Sequence, residues 1–334
     1  MSETTKPAPS TPISPPETQH PCLLCGHADL KLLARLTCDE VVKNWSIFNV
    51  TFSAEALDVF QGRSWIELQE CRACGFRFFD PGLAGNGAFY SELQRQIPSY
   101  YAADRPDFDW ALSCARRHRL LRVLDVGCGT GAFLDRARSA GLQTFGMEMN
   151  PVAAAACREK GHTVFSGLMS ELLRGQPGER FDLVTSFQVV EHVSNPQAFL
   201  HEAAALARPG GFVAISVPNE QGIIQICPNE PHQWPPHHVT RWRRQDLSEL
   251  GRRCGLPVID LGGDRMLGGT LEHFWGLHNR LARLGGRKPH PGGRFLPWLL
   301  SIIYRKTGCR YYFPAWGPNS FALYQRPATT APAP

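Results

Sequence analysis

The chain has 334 residues and a formal net charge of +5, from 35 Lys and Arg against 30 Asp and Glu. Its 43% hydrophobic content suffices for a packed core and excludes a wholly disordered or fibrous chain. The sequence shows neither a run of about 18 apolar residues nor an apolar signal-peptide segment. We therefore expect no membrane-spanning helix and a cytoplasmic location.

The first predicted unit is a small module that follows a Pro-, Ser- and Thr-rich segment at 1–19, where we expect a disordered tail. One pattern, Cys-x-x-Cys-Gly, occurs twice in this module. Each such turn directs two thiolates at one metal ion, and two turns complete a tetrahedral site. A single pair would also fit a redox motif, and unpaired reduced thiols are the alternative. The predicted ligands of a structural zinc are Cys22, Cys25, Cys71 and Cys74.

Between the two cysteine pairs, an amphipathic helix is expected near Ala54–Phe60 and a strand over Trp65–Glu70. A unit of this size has a small core, so the metal would staple it together. We place the zinc-binding module at 20–80 and a linker at 81–108.

From Asp109 onward the apolar pattern alternates between strands and helices, which predicts an α/β fold with a mostly parallel sheet and helices on both faces. The expected strands are Arg122–Val126, Gln143–Met147, His162–Phe165, Phe181–Ser186, Gly211–Val217, Val258–Leu261 and Ser320–Tyr324. The expected helices are Gly131–Ala140, Pro151–Lys160, Pro196–Ala207 and Gln245–Cys254. This domain spans 109–326, and a second disordered tail is expected at 327–334.

A glycine-rich turn joins the first strand of this domain to its first helix. It has the form G-x-G-x-G, at Gly127, Gly129 and Gly131, with Asp125 at the end of the strand. Glycines let a ligand approach the backbone at the carboxyl end of a strand, where open α/β sheets bind ligands. Glu148 ends the next strand, where a carboxylate can accept both ribose hydroxyls of an adenosine group. Another nucleotide is the alternative ligand.

These features resemble the class I S-adenosylmethionine (SAM)-dependent methyltransferases, which have a Rossmann-like sheet. The resemblance covers 109–326, and four segments carry it: Val123–Gly131, Gly146–Glu148, Phe181–Val193 and Leu206–Asn219. With its cysteine pairs, the whole chain is also similar to zinc-containing methyltransferases of bacterial sugar, polyketide or cell-envelope pathways. In these proteins a small metal-stapled module precedes the catalytic domain.

The resemblance implies a set of cofactor-binding positions. The glycines would line the methionine part of the cofactor, while Asp125 would organise the loop or contact the amino group. Glu148 would hold the ribose, Leu168 would flank the adenine, and the end of the fourth strand would pass beneath the sulfonium. The full set is Asp125, Gly127, Cys128, Gly129, Gly131, Glu148, Leu168, Ser186, Phe187 and Gln188.

Candidate catalytic residues follow the fourth and fifth strands of the domain: Glu191, His192, His237 and His238. The first two end a segment similar to the Glu-x-x-Glu-His arrangement by which ubiquinone-pathway and small-RNA 2′-O-methyltransferases bind a divalent ion. Gln188 stands at the position of the first Glu, although a hard cation prefers carboxylates. Three interpretations stay open: an acid/base or substrate-orienting role, a second divalent cation, and hydrogen bonding within loops.

The C-terminal part carries most of the positive charge. From His273 to Pro334 the sequence has nine Lys and Arg and neither Asp nor Glu. Residues 267–316 form a long connection between the last two strands, which predicts a lid or substrate insertion. Its charge favours an anionic acceptor. Peripheral membrane contact, a helix packed on the sheet and a solvated basic face are alternatives, and nothing resembles a dedicated RNA-binding motif.

The sequence thus predicts a SAM-dependent methyltransferase that acts on an oxygen or carbon of a small metabolite. A sugar, a nucleotide-sugar, or an envelope or secondary metabolite is the expected acceptor. An RNA or lipid/quinone O-methyltransferase, or a non-catalytic SAM-binding or docking protein, is the alternative.

Overall fold

A computed structural model describes residues 20–97, 100–101, 104–265, 270–286 and 317–328. The predicted tail at 1–19 lies outside these ranges, as does nearly all of the tail at 327–334. Most of the predicted lid at 267–316 also lies outside them.

The N-terminal module contains an antiparallel sheet. Its strands are β1 (Leu30–Thr37), β2 (Trp65–Cys71) and β3 (Arg77–Phe78), and helix α1 (Cys38–Asn44) follows β1. A fourth strand, β9 (Thr240–Arg241), comes from the other end of the chain and pairs with β3. The module and the later half of the protein therefore share one sheet.

Seven further strands in the described part of the chain form the main sheet. They are β4 (Arg122–Val126), β5 (Gln143–Met147), β6 (Thr163–Phe165), β7 (Phe181–Phe187), β8 (Ala207–Pro218), β10 (Val258–Gly263) and β11 (Asn319–Gln325). Their order is β10-β11-β8-β7-β4-β5-β6. Every pair from β8 to β6 in this order is parallel, and β11 is antiparallel to both β8 and β10. The predicted α/β class with a mostly parallel, Rossmann-like sheet is confirmed.

Helices connect and cover these strands. They are α2 (Gly87–Gln96), α3 (Pro106–Arg117), α4 (Ala132–Ser139), α5 (Pro151–Glu159), α6 (Met169–Gly175), α7 (Pro196–Leu206), α8 (Arg244–Arg253) and α9 (Thr270–Leu284). The predicted start of α5 is confirmed: the Asn150 side chain accepts hydrogen bonds from the backbone N–H groups of Val152 and Ala153, and Pro151 takes the first helical position.

An apolar interface joins the module to the main domain. Phe76 and Trp242 are fully buried, and their rings meet edge to face with centroids 4.8 Å apart. Both belong to one core cluster with α8 and β11. Polar contacts add to this interface, because Arg77 pairs with Glu220 at 3.1 Å and Arg243 donates a hydrogen bond to the Cys74 carbonyl.

Two local predictions differ from the structure. The α-helix expected near Ala54–Phe60 is wrong: this segment forms turns followed by a 3-10 helix at Asp58–Phe60, because i→i−3 hydrogen bonds close so short a run. The segment treated as a linker, 81–108, contains α2 and the start of α3. Phe89 of α2 is fully buried, so this segment is part of the folded body.

Within the described ranges, no helix combines the length and the apolar character needed to cross a bilayer.

Candidate active site

A cavity of about 960 Å³ opens at the carboxyl ends of β4 and β7. The two strands are neighbours, and the strand order reverses between them. Open α/β sheets bind ligands at such a reversal. The volume lies at the upper end of small-molecule sites, so it can take a nucleotide-sized ligand together with a second molecule.

The glycine turn forms one wall of this cavity. Gly127 and Gly129 have φ of +77° and +53°, in the left-handed region that favours glycine. A Cβ atom on Gly127 would lie 2.5 Å from Val189 Cγ2, and one on Gly129 would lie 2.5 Å from Tyr101 Cδ1. Any side chain here would therefore collide with Val189 or Tyr101, so both positions require glycine.

Two buried carboxyl groups lie beside the loop, and Glu148 is the one that bonds to it. Glu148 accepts hydrogen bonds from the backbone N–H groups of Gly129 and Asn150, at 2.9 and 2.7 Å. Burial raises its pKa above the usual value, and these hydrogen bonds oppose that effect. Asp125 accepts a hydrogen bond from the Thr185 hydroxyl at 2.8 Å, and burial raises its pKa as well.

The structure brings most of the predicted cofactor positions to this cavity. Its lining includes Asp125, Gly127, Cys128, Gly129, Glu148, Leu168, Phe187 and Gln188. Two others face elsewhere. A Cβ on Gly131 would meet Cys157 Sγ at 2.7 Å, and the Ser186 hydroxyl donates to the Val126 carbonyl. These two residues support the loop from beneath, and the ligand roles of the whole set stay predictions.

Three histidines from two distant segments meet at the far end of the cavity. One ring nitrogen from each of His192, His237 and His238 lies within 4.8 Å of the other two. Nδ1 of His192 contacts the backbone carbonyl of His237, and Nδ1 of His237 lies 3.0 Å from the carbonyl of His232. A carbonyl only accepts, so both Nδ1 atoms carry protons and both Nε2 atoms keep lone pairs.

Two tyrosines complete this cluster. Tyr100 O–H lies 3.2 Å from His237 Nε2, and Tyr90 O–H lies 3.1 Å from His192 Nδ1. Burial lowers the pKa of His192 to about 4 and that of His237 well below its usual value. The imidazoles are therefore neutral near pH 7, and the lone pair of His237 Nε2 accepts the hydrogen bond of the Tyr100 hydroxyl.

Glu191 lies behind the histidines. Its carboxyl is 1% exposed, and neither oxygen has a hydrogen-bond partner among the residues that the structure describes. One oxygen lies 4.0 Å from His192 Nε2 and 3.9 Å from His238 Nε2. Burial raises the pKa of Glu191 to about 8. An orphaned carboxyl beside imidazole lone pairs matches the donor set of a divalent-cation site.

Sequence reasoning missed several residues of the cavity wall. Tyr90, Tyr100, Tyr101 and Arg105 come from the segment treated as a linker, and α9 contributes Phe274 and Leu277. They follow no short motif. The adjacent tyrosines before the first strand of the main sheet were the available signal.

The four predicted zinc ligands also meet in space. Their sulfurs lie within 4.8 Å of one another, with Cys22 and Cys74 at 3.6 Å and Cys25 and Cys71 at 3.5 Å. A tetrahedral zinc with bonds near 2.3 Å needs sulfurs about 3.8 Å apart. The arrangement therefore fits a structural zinc, and the long separations leave all four as free thiols.

One family model and three known proteins are similar to this chain. The methyltransferase domain family matches residues 94–261, half of the chain. A ubiquinone biosynthesis O-methyltransferase of Cereibacter sphaeroides is 29% identical over 187 residues, 52% of this chain and 74% of that protein. Another, from a Bradyrhizobium species, is 33% identical over 155 residues, 41% of this chain and 61% of that protein. A solved SAM-dependent methyltransferase of Archaeoglobus fulgidus, 17% identical, covers 71% of this chain and 99% of its own, with a TM-score of 0.44.

The chain belongs to the methyltransferase domain family, within the class I SAM-dependent methyltransferases. The predicted enzyme class and the SAM cofactor are thereby confirmed.

The Glu148 carboxylate provides a direct test of cofactor binding. In Glu148→Gln one of the two loop N–H groups would face an amide N–H instead of an oxygen. We expect SAM to bind about 10- to 100-fold more weakly, the usual cost of a lost hydrogen bond to a charged group. Calorimetric titration measures this, with Glu159→Gln on the exposed end of α5 as the control. Unchanged affinity would remove Glu148 from the cofactor site.

Proposed function

We propose that this chain is an O-methyltransferase whose acceptor is a hydroxyl on a small ring compound. The observation that supports this most is that the Nε2 atoms of His192 and His237 both carry lone pairs beside the cavity, with the Tyr100 hydroxyl bonded to the second. A hydroxyl is a poor nucleophile until its proton is removed. A neutral imidazole held in a fixed tautomer can take that proton.

SAM supplies a methyl group on a sulfonium, ready for in-line displacement. The chain's own residues supply position and proton transfer. The glycine turn and Glu148 hold one side of the cavity. His192 Nε2 accepts the acceptor's proton directly, or the Tyr100 hydroxyl passes its own proton to His237 Nε2 as it takes the acceptor's proton. Aromatic side chains line the cavity around the place where the two substrates would meet.

The curated relatives support a phenol- or quinol-type ring, because both are named ubiquinone biosynthesis O-methyltransferases. The sugar or nucleotide-sugar acceptor expected from the sequence is the second candidate, and the acid-free stretch from His273 favours it because that stretch suits an anion.

Methyl transfer from labelled SAM distinguishes these acceptors. We expect the labelled methyl group on a hydroxyl oxygen of a catechol or of a prenylated catechol. Transfer to nucleotide-sugars alone would favour the second candidate. If the protein binds SAM but transfers label to none of these acceptors, the proposed O-methyl transfer is wrong.

The same cluster supports a second divalent cation, because three histidines have ring nitrogens close together and the Glu191 carboxyl lies about 4 Å from two of them. His192, His237, His238 and Glu191 would hold the ion, which would increase the acidity of an acceptor hydroxyl. Elemental analysis, which counts metal ions per chain, distinguishes an ion at the histidines from the zinc at the cysteines. His192→Asn should remove one ion per chain and leave the zinc. An unchanged metal content would leave the histidines with the acid/base role alone.

The four cysteines are proposed to hold one structural zinc, supported by their sulfur separations. Two backbone turns hold the cysteines in place. The N–H groups of Gly26 and Gly75 donate to the carbonyls of Cys22 and Cys71 at 2.8 and 2.7 Å. The zinc would stabilise the module and, through β3 and β9, the segment that carries His237 and His238.

A further inference from the structure

A buried carboxylate lies close to the cavity, outside the histidine cluster. Asp107, in the first turn of α3, has no solvent exposure. The Arg105 guanidinium holds it in a two-pronged ion pair, with Nε 3.0 Å from Oδ1 and Nη2 2.8 Å from Oδ2. A charge that is paired and hydrogen-bonded in this way can stay buried. As a carboxylate, Asp107 accepts hydrogen bonds and donates none.

The next residue in this chain of contacts is Ser216 of β8. Its hydroxyl oxygen lies 2.5 Å from Asp107 Oδ2 and 3.1 Å from Gln188 Nε2. Because Asp107 cannot donate, the Ser216 hydroxyl must donate its one hydrogen bond to Asp107. Ser216 then offers only lone pairs to Gln188, so Gln188 must turn its NH₂ group toward Ser216.

Ser216 holds Gln188 at a second point as well. The Gln188 backbone N–H donates to the Ser216 carbonyl at 2.9 Å. The Gln188 backbone also has φ of +56°, a conformation uncommon outside glycine, which persists when surrounding contacts enforce it. Both the backbone and the side-chain amide of Gln188 are therefore fixed relative to β8.

We infer that Asp107, acting through Ser216, fixes the Gln188 amide with its oxygen toward the cavity, where it accepts a hydrogen bond from a hydroxyl of the methyl acceptor. The C–N and C–O bonds of the planar amide diverge, so with Nε2 on Ser216 the Oε1 atom is turned away from Ser216, and Gln188 lines the cavity. This inference rests on the proposed O-methyl transfer. Asp107 is thus a positioning residue, separated from the acceptor by two side chains.

The hydrogen-bonded chain Asp107–Ser216–Gln188, called the relay below, makes the site prefer a protonated acceptor hydroxyl. A fixed carbonyl oxygen attracts a protonated hydroxyl and repels a phenolate or carboxylate. The acceptor would therefore enter with its hydroxyl protonated and lose the proton to the histidines after binding. A glutamate at this position would carry a negative charge instead.

Amide exchange tests the relay without any acceptor. Ser216→Ala removes the middle hydroxyl and leaves the Arg105–Asp107 pair intact. With ¹⁵N-glutamine labelling and bound S-adenosylhomocysteine, the Gln188 side-chain NH₂ should exchange slowly in the wild-type protein. Its signal is assigned by its loss in Gln188→Asn. We expect at least about tenfold faster exchange in Ser216→Ala, since a protecting hydrogen bond is gone. Equal exchange in both proteins would overturn the inference.

Kinetics with catechol as the acceptor test the consequence. Ser216→Ala and Asp107→Asn should each lower kcat/KM for catechol by about tenfold or more, the effect of losing one oriented hydrogen bond. Both should leave the Kd for SAM unchanged. Asp109→Asn, on the exposed face of the same helix turn, is the matched control. Unchanged catechol kinetics, or an equal loss of SAM affinity, would contradict the inference.

The experiments distinguish failure of the proposed O-methyl transfer from failure of the inference about Gln188. Absence of methyl transfer by the wild-type protein to every acceptor tested would contradict O-methyl transfer. The exchange of the Gln188 amide would then still decide whether Asp107 and Ser216 hold it.

Discussion

Replacing His192 or His237 with asparagine should lower kcat for methyl transfer by about 10²- to 10⁴-fold, the usual contribution of a general base. An asparagine NH₂ group can still donate to the carbonyl that each Nδ1 now reaches, at His237 and His232 respectively. Only the lone pair at Nε2 is lost. The loss should therefore appear in turnover of the acceptor and leave the Kd for SAM unchanged.

The control for this experiment is His201→Asn. His201 lies on the exposed surface of α7, and its replacement should change neither turnover nor SAM affinity. Full turnover in both His192→Asn and His237→Asn would exclude these histidines as the base. A parallel loss of SAM binding would instead indicate damage to the cavity.

Cys71→Ser should remove the zinc and destabilise the whole protein. Structural zinc contributes about 10–16 kcal/mol in small zinc modules. Losing one of four ligands should lower the free energy of unfolding by about 3 kcal/mol or more, roughly 6–12 °C in Tm for a domain of 150–250 residues. Elemental analysis and thermal unfolding measure the two effects together.

Cys38→Ser provides the matched comparison. Cys38 lies in the same module, and its thiol donates to the Arg63 carbonyl at 3.4 Å. A serine hydroxyl can keep that hydrogen bond, so this variant should retain one zinc per chain and nearly the wild-type Tm. If Cys71→Ser also keeps one zinc per chain, the four-cysteine site is wrong.

The main sheet was predictable because its signals are local. Asn150 and Pro151 mark the start of α5, and the apolar run Arg122–Val126 matches β4 at both ends. The module was less predictable. Its first strand, Leu30–Thr37, mixes apolar and polar residues in an irregular order, since it contains a register shift near Leu32 and Ala34. Neither pattern nor propensity reveals such an irregularity.

The candidate site also has a part that the sequence predicts and a part that it does not. The glycine turn and Glu148 sit on consecutive strands, so strand order alone brings them together. Asp107 and Ser216 are 109 positions apart and meet through the packing of α3 on the sheet. Their hydrogen bond depends on tertiary structure that no short motif encodes. The two cysteine motifs are also far apart in the sequence, yet their meeting could be predicted. Ligands of a metal ion need a strict local spacing, and that spacing is visible in the sequence.

The pairing of β3 with β9 has a consequence for how this protein can diverge. One strand of the module, Arg77–Phe78, pairs with the strand that follows the acceptor-side histidines, while the glycine turn and Glu148 lie at the ends of the parallel strands β4 and β5. A lineage could not exchange the module without rebuilding the acceptor wall. New acceptor preferences should therefore arise through paired substitutions in both regions, against a cofactor half that stays nearly constant.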